Sequence, residues 1–264
     1  MAKFGAKISI SGVQIKASVK LNSEKQSIEV VQSQGTHILK AEPAEYPELP
    51  QNENCCMTLA QELGMEVPPH GLFMMADGKL SYLIKRFDRL ESGEKIHKES
   101  AAQILSIPTE DKYRGSLERI GKVIQKNVKN TGLDLIHFFE RVLLSFLTGN
   151  GDMHLKNWAF ITFSNGDIHL APCYDFVCSK IYLPQEEDFA LTLNGRKNNI
   201  RKRDFIALGM SLDIESKAIE NALDRFKAAK DTLLEEVGHS ELGEEKREKL
   251  MGIIRSRYDR FYGP

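Results

Sequence analysis

The sequence predicts an α+β fold in two lobes, a small β-rich N-terminal lobe with one helix and a larger, mostly helical C-terminal lobe. Short runs of β-branched and aromatic residues, broken by turn signals, occupy the first part of the chain. Apolar residues at helical spacing dominate from about Glu99 onward. A length of 264 residues with 41% hydrophobic content is enough for a sizeable core. The lobes are expected to divide after Phe87, into residues 1–87 and 88–264.

Charge balance and hydropathy exclude several functional classes. With 36 basic and 37 acidic side chains the net charge is −1, so no direct nucleic-acid binding is expected. No apolar run approaches the length of a membrane span, and the N-terminus lacks the apolar stretch of a signal peptide. We therefore expect a cytoplasmic protein that does not associate with membranes. The cysteines lack zinc-site spacing and are expected to be small buried hydrophobic residues: Cys55, Cys56, Cys173 and Cys178.

The N-terminal segment predicts two short strands around a glycine turn. Lys7–Ile10 and Ile15–Leu21 have β character, and Ser11 and Gly12 interrupt them. A glycine at such a turn lets backbone N–H groups approach phosphate oxygens, with Ser9 close by. The signal is not specific, because one glycine in a hairpin is common and both serines are more often exposed turn residues.

A strand-borne lysine and a helical glutamate form the next candidate pair. Ser27–Val31 and Thr36–Lys40 continue the β pattern, and a lysine on such a strand is the natural partner of nucleotide phosphates. The alternative for Lys40 is a solvated strand end. Glu53 lies on the inward face of a helix predicted at Asn52–Leu63, where a carboxylate needs a partner. We expect a structural ion pair with Lys40; otherwise Glu53 merely complements the helix dipole.

A hairpin at Gly71–Asp88, turning at Asp77, leads from the small lobe toward the helical half. A strand that leaves the small lobe at this point is where an adenine would meet backbone groups. The hinge is expected at Ile84, Lys85, Arg86 and Phe87.

The loop Gly149–Asn157, which follows a helix predicted at Leu133–Thr148, has the spacing that phosphoryl transfer requires. Asp152 could accept the proton of an attacking hydroxyl, while Asn157 and Asp175 supply oxygen ligands for Mg²⁺ on nucleotide phosphates. A tight loop can turn both Asp152 and Asn157 toward one point, whereas positions five apart on a helix diverge.

A second hairpin supports this arrangement. Trp158–Phe163 and Asp167–Leu170 flank a strong two-residue turn signal, and pairing them would carry Asp175 back beside Asp152. Taken singly, an Asp or Asn in a glycine-rich loop is more often a turn former. The three residues together, with the hairpin between them, favour function.

Two more residues of the loop are candidates. Lys156, four residues after Asp152, could neutralise the transferring phosphate. His154 is assigned to the nucleotide site, where it either orients Asp152 or hydrogen-bonds the loop backbone. The basic run Arg196–Arg203 could hold nucleic acid or a phosphoprotein surface, but such a run is more often a solvated loop, and no aromatic residues interleave it to stack on bases.

Six segments, in order along nearly the whole chain, resemble the HipA family of bacterial toxin kinases. They are SISGVQ at Ser9–Gln14, THILK at Thr36–Lys40, YPELPQNE at Tyr46–Glu53, KRFDR at Lys85–Arg89, GNGDMHLKN at Gly149–Asn157 and PCYDF at Pro172–Phe176. The resemblance implies a protein-kinase-like fold and ATP- and Mg²⁺-dependent phosphorylation of serine, typically on aminoacyl-tRNA synthetases.

The resemblance also implies roles for single residues. They are Asp152 as catalytic base, Asn157 and Asp175 as metal ligands, Lys40 as the phosphate-binding lysine, and Ser11, Gly12 and Val13 in the phosphate-covering loop. Ser9 occupies the position that resembles the family's autophosphorylated serine, and Ser11 is a second candidate. A phosphate there would place about −2 of charge beside ATP and disfavour the nucleotide-bound loop.

The chain also departs from the family pattern. Longer HipA chains have an additional N-terminal subdomain before the serine motif, whereas this sequence starts almost at the motif. It resembles the short HipT type, which implies a separate HipS-like small protein and a HipB-like DNA-binding antitoxin as partners; a truncated chain is the alternative. Ile15 stands where Pro or Glu is common in relatives.

Two other functional classes stay open. The Asp-x-His-x-x-Asn pattern from Asp152 to Asn157 also resembles the catalytic loop of aminoglycoside-type phosphotransferases. That function would need an acidic pocket, expected from Glu186, Glu187 and Asp188. The other class is an inactive kinase-fold binding module, against which the intact Lys40, Asp152, Asn157 and Asp175 argue.

Overall fold

The computed structural model describes residues 10–22, 27–90 and 92–263. Its first sheet has five antiparallel strands in the order β2-β1-β3-β5-β4. They are β1 (Lys16–Asn22), β2 (Ser27–Val30), β3 (His37–Lys40), β4 (His70–Met74) and β5 (Leu80–Lys85). In this register Lys40 pairs with Lys16 on one side and with Tyr82 on the other, so the end of β3 lies in the middle of the sheet.

Helix α1 (Leu49–Glu62) packs on this sheet against β4 and β5. It begins three residues earlier than the predicted Asn52, because Pro50 fits the first helical turn, where its missing N–H leaves no bond unmade. Its inner face carries buried side chains that include Met57 and Leu59. The helix therefore presents Glu53 toward the sheet.

A second antiparallel sheet follows, with β6 (His97–Ser100), β7 (Ala159–Thr162) and β8 (Ile168–Leu170) in sequence order. The β7–β8 pair is the hairpin that the sequence predicts, and Gly166 has the positive φ of 86° that its turn requires. Strand β6 was not predicted. It is four residues long and pairs with a strand about 60 positions away, as in Lys98 with Ile161, so local sequence carries little of its signal.

The rest of the described chain is mainly helical. The helices are α2 (Ala101–Ile104), α3 (Leu117–Asn127), α4 (Thr131–Leu147), α5 (Lys202–Ser211), α6 (Ser216–Ala228), α7 (Lys230–His239) and α8 (Glu244–Tyr262). Helix α4, predicted at Leu133–Thr148, is the buried centre around which α3, α5, α6 and α8 pack. The apolar periodicity of Glu215–Glu235 predicts one amphipathic helix, but the structure has two helices that meet at Ala229, because α7 turns to pack on α1.

These elements confirm the predicted α+β fold with a small β-rich part and a larger helical part. All four cysteines are buried and unpaired, as predicted. The predicted first strand is not formed at Ile10, which lies in a 3-10 turn (Ile10–Gly12); residues 7–9 are outside the described residues. Within the described ranges, no helix combines the length and apolar character needed to cross a bilayer. The lobe boundary after Phe87 stays a prediction.

Substitution of Gly121 tests the tight contact between α3 and the end of α5. A Cβ at Gly121 would overlap both methyl groups of the fully buried Leu212, so we expect Gly121→Ala to lower the free energy of unfolding by about 1–3 kcal/mol. Gly252→Ala is the matched control, because Gly252 is a helical glycine of α8 with open space around it. This substitution should raise the free energy of unfolding by about 0.5–1 kcal/mol. Urea unfolding followed by circular dichroism measures both. Equal gains in both variants would contradict the packing described here.

Candidate active site

Lys40 lies between two carboxylates at the centre of the site. It ends β3 and is 3% exposed, and its Nζ forms ion pairs with Glu53 of α1 and with Asp175. Asp175 lies five residues after β8 and has a left-handed backbone with φ of 56°, which turns its side chain out of the strand direction. One amine thus joins the first sheet, its helix and the segment after the second sheet.

The charges of this cluster are set by burial and by each other. Burial alone would lower the pKa of Lys40, but Asp175 and Glu53 outweigh it and raise that pKa above its ordinary value. Burial would raise the pKa of Asp175, yet Lys40 and Lys16 hold it well below the usual range. For Glu53, burial dominates and raises the pKa against the pull of Lys40. Lys40 is therefore cationic and Asp175 is ionised, as a metal ligand must be.

Asp152 is 5% exposed, and donors from two distant segments reach its carboxylate. The backbone N–H of Ile10 donates to Oδ2 at 3.1 Å, and the Tyr113 hydroxyl donates to Oδ1 at 2.6 Å. The Asp152 N–H donates to Asn150 Oδ1 at 3.2 Å, which tightens the loop after α4. The carboxylate is thereby held within the loop that follows α4, with donors at both of its oxygens.

Asn157 connects Asp152 to the Lys40 cluster. It ends a 3-10 turn (Leu155–Asn157), and its Nδ2 lies 3.4 Å from Asp175 Oδ2. The His154 N–H donates both to Asn157 Oδ1, at 3.1 Å, and to the Asp152 carbonyl, at 2.8 Å. The five-residue spacing between Asp152 and Asn157 thus places both side chains in one tight loop.

His154 and Lys156 differ in environment. Burial, reinforced by the nearby charge of Lys112, lowers the pKa of His154 to about 3, so its imidazole is neutral at pH 7. Its ring packs edge-on against Tyr113 with centroids 5.3 Å apart. Lys156 is exposed, and its carbonyl accepts a hydrogen bond from the Tyr174 hydroxyl at 2.9 Å. After burial and the charge of Lys112, the charge of Lys156 also lowers the pKa of His154, so Lys156 acts electrostatically on this loop.

A cleft of about 200 Å³ opens beside the Lys40 cluster. Its walls include all four predicted hinge residues, Ile84, Lys85, Arg86 and Phe87, together with Lys16, Lys98, Tyr174 and Asp175. Within the ranges that the structure describes, neither the N–H nor the carbonyl of Phe87 has a hydrogen-bond partner. The guanidinium of Arg86 makes two hydrogen bonds of 2.8 Å to Asp88, which fixes the hinge.

The predicted phosphate loop is only partly described. Gly12 is exposed and Val13 is half-buried, directly after the buried Ile10, which packs on Leu49 and Val177. Ser9 lies outside the described residues, and Ser11 is described only as the middle of the 3-10 turn. The loop reaches the site through the bond from Ile10 to Asp152.

Sequence reasoning missed Lys98 and Tyr113. Lys98 on β6 lines the cleft, with Nζ 5.7 Å from the ring centroid of Phe87 and 5.8 Å from that of Tyr174. Burial lowers its pKa, while Asp88 and Asp175 oppose that shift. Neither residue stands in a recognisable motif, and each reaches the site only through contacts between segments far apart in sequence.

A family model described as "HipA-like C-terminal domain" matches residues 8–233. The chain belongs to this HipA-like family. Its relatives include putative kinase Y4dM of Sinorhizobium fredii, 30% identical over 84% of this chain and 59% of the relative. A putative kinase of Haemophilus influenzae is 35% identical over 66% of this chain and 54% of its own length. The serine/threonine-protein kinase toxin HipA of Shewanella oneidensis is 28% identical over 71% and 47%. The chain spans about half the length of these curated relatives.

Solved structures show the same fold. The chain matches Shewanella oneidensis HipA, solved with HipB and its operator DNA, with a TM-score of 0.80 and 23% identity over 100% of this chain and 67% of that one. It also matches the Helicobacter pylori proinflammatory kinase CtkA, with a TM-score of 0.63 and 17% identity over 93% and 94%. These likenesses confirm the predicted two-lobed, protein-kinase-like fold.

The Lys40 cluster predicts an unusual pH dependence of stability. Lys40→Met leaves Glu53 and Asp175 without their cation, so we expect a loss of about 3–5 kcal/mol in the free energy of unfolding at pH 7.5. The loss should be smaller at pH 5. Without Lys40 the pKa of Glu53 lies further above its unfolded value, and a group with a raised folded pKa stabilises at low pH and loses that effect as pH rises. Urea unfolding at the two pH values measures this.

The control for this prediction is the double variant Lys40→Met with Glu53→Gln. It removes the buried acid as well as the cation, so its unfolding free energy should exceed that of the single variant at pH 7.5 and change less between pH 7.5 and pH 5. A single variant that is destabilised equally at both pH values would contradict the assignment of the buried charge to Glu53.

Proposed function

We propose that this protein is an ATP- and Mg²⁺-dependent protein serine/threonine kinase. The observation that carries the proposal is the buried Lys40, which forms ion pairs with both Glu53 and Asp175. Asp175 in turn lies 3.4 Å from the side-chain amide of Asn157. Nucleotide phosphates require such a fixed cation, next to oxygen donors that can ligate Mg²⁺. Membership of the HipA-like family, whose relatives are named kinases, supports the same activity.

Each residue has a chemical role in this proposal. Asp152 accepts the proton of an acceptor hydroxyl, whose oxygen bonds to the γ-phosphorus while the bond to the β-phosphate oxygen breaks. Lys40 holds the α- and β-phosphates, and Lys156 neutralises charge on the transferring group. Mg²⁺, when bound, would offset phosphate charge.

Two oxygen donors of this chain fit a magnesium ion. Asp175 is ionised, and Asn157 beside it would supply an amide oxygen once its amide turns and releases the His154 N–H. Among the described residues no three His, Cys, Asp or Glu side chains are grouped to hold a metal alone, so phosphate oxygens and water would complete the coordination.

The cleft beside Phe87 is the proposed adenine site. The unpartnered N–H and carbonyl of Phe87 can bond to a purine edge, and His154, which is near enough to feel the charge of Asp175, is assigned to the same nucleotide site. We place the boundary between the lobes after Phe87, since the hinge and the cleft coincide there.

We further propose that the kinase is a cytoplasmic toxin of a HipBST-like toxin–antitoxin system that phosphorylates an aminoacyl-tRNA synthetase and so arrests translation. The support is similarity: one relative is named a toxin kinase, and the matching HipA was solved with HipB and operator DNA. The proposed partners of this chain are a HipB-like antitoxin and a HipS-like small protein.

Autophosphorylation on Ser9 and Ser11 is the remaining part of the proposal. Both serines are chain neighbours of Ile10, whose N–H donates to Asp152, and this supports access of the segment to the catalytic carboxylate. A phosphate on either serine would disfavour the nucleotide-bound loop by like-charge repulsion.

The structure gives the aminoglycoside-type alternative no specific support. Asp188 is buried and forms ion pairs with Arg257 and Arg260, so arginines of α8 neutralise its charge. Glu186 accepts a hydrogen bond from the Ser179 hydroxyl. Glu186 and Glu187 line a surface pocket, but neither Lys40 nor Asp152 is among its walls, and Asp188 does not contribute to it.

Intact mass after incubation with Mg²⁺ and ATP tests the kinase. We expect one or two added phosphates, mapped to Ser9 or Ser11 by peptide analysis, and none in Asp152→Ala, which lacks the base. Asp167→Ala, in the β7–β8 turn, is the matched control and should be modified like the wild type. Phosphate on Asp152→Ala would exclude Asp152 as the base, and failure to bind ATP would favour the inactive binding module.

Lys98 should contribute to nucleotide binding, because its half-buried amine lines the cleft. We expect Lys98→Met to raise the Kd for ATP by about tenfold, as loss of one charge-assisted contact does. Lys95→Met, two residues outside β6 and exposed, should leave the Kd unchanged. Isothermal titration calorimetry measures both, and equal Kd values for the two variants would remove Lys98 from the site.

A further inference from the structure

Tyr113 contacts Asp152 from a segment outside the six short motifs that resemble the HipA family. It lies between a 3-10 turn (Thr109–Asp111) and α3, and its hydroxyl donates to Asp152 Oδ1 at 2.6 Å. That separation is typical of an O–H group bonded to an ionised oxygen, the stronger class of hydrogen bond. The two residues are 39 positions apart, so the contact depends on how the segments pack.

The Tyr113 segment is attached to the catalytic loop at several points. The Leu155 N–H donates to the Lys112 carbonyl at 3.1 Å, and the Tyr113 ring packs edge-on against His154. The amine of Lys112 lies 5.2 Å from the centroid of the Tyr113 ring. Further along, the Thr192 N–H donates to the Gly115 carbonyl at 3.1 Å. The phenol is therefore fixed before any substrate arrives.

We propose that Tyr113 is a positioning residue for Asp152 in the phosphoryl transfer that the proposed function assigns to this site. An aspartate carboxylate rotates readily about its last bond, so an unanchored base spends much of its time misaligned. Tyr113 holds Oδ1, and the Ile10 N–H holds Oδ2. The two donors come from different segments, Tyr113 before α3 and Ile10 beside the phosphate-covering residues, so each carboxylate oxygen has its own anchor. The acceptor hydroxyl then meets a carboxylate of fixed plane, within hydrogen-bond reach.

The test compares phosphate incorporation by the wild type, Tyr113→Phe, Asp152→Ala and the double variant under single-turnover conditions with Mg²⁺ and ATP. Tyr113→Phe keeps the ring and its packing and removes only the hydroxyl. We expect its rate to fall about tenfold, with the Kd for ATP within about twofold of wild type, since misplacement of a reacting group slows the chemical step. Asp152→Ala and the double variant should incorporate no phosphate and define the background of the assay.

The matched control is Tyr262→Phe, which removes a phenol hydrogen bond of 2.8 Å to the Leu223 carbonyl in the helical part. It should react at the wild-type rate. A wild-type rate for Tyr113→Phe, or a rise in its Kd for ATP as large as its fall in rate, would overturn the proposal.

Failure of the proposed function can be separated from failure of this inference. If the wild-type protein transfers no phosphate to itself, urea unfolding of the same four proteins still measures the coupling between Tyr113 and Asp152. Additive effects on the unfolding midpoint would overturn the anchoring role. Non-additive effects would uphold it and place the failure in the proposed reaction.

Discussion

The charge of Lys40 is the constraint on which the site depends. A buried ammonium is tolerated only when carboxylates and hydrogen bonds replace its water, and Glu53 of α1 and Asp175 after β8 do so. Such an arrangement is costly in desolvation, so it contributes more to the relative placement of three segments than to net stability. If the sheet, α1 or the loop after β8 shifted alone, one of these charges would lose its partner or become exposed to water.

The same arrangement is poised to change when a ligand binds. Asp175 keeps its charge beside Lys40, and an ionised carboxylate suits a cation next to it. Phosphate oxygens compete for Lys40 and would release Asp175 from it. Asn157 is already next to Asp175, and the His154 backbone ties it to Asp152. The nucleotide end and the acceptor end of the proposed reaction are thus coupled through one turn of chain.

The helical part holds this turn in place. Helix α4 is buried along most of its length and delivers the chain into Gly149, whose φ of 70° starts the loop. The family match ends at residue 233, yet the core continues beyond it. Arg257 and Arg260 of α8 pair with Asp188 and lie over the Phe146 ring, at 4.7 and 4.9 Å from its centroid. Residues after the matched region therefore stabilise the helix that supports the loop with Asp152 and Asn157.

Local sequence determined the elements whose signals are local. The β7–β8 hairpin, α4 and the tight loop with Asp152 and Asn157 follow from turn residues and periodicity, and the inward face of α1 indicated a partner for Glu53. Tertiary structure alone decided the rest. Strand β6 with Lys98, the contact of Tyr113 with Asp152 and the break between α6 and α7 depend on partners tens of residues away. Those contacts form only when the whole chain packs, so they cannot be predicted from any short segment of the sequence.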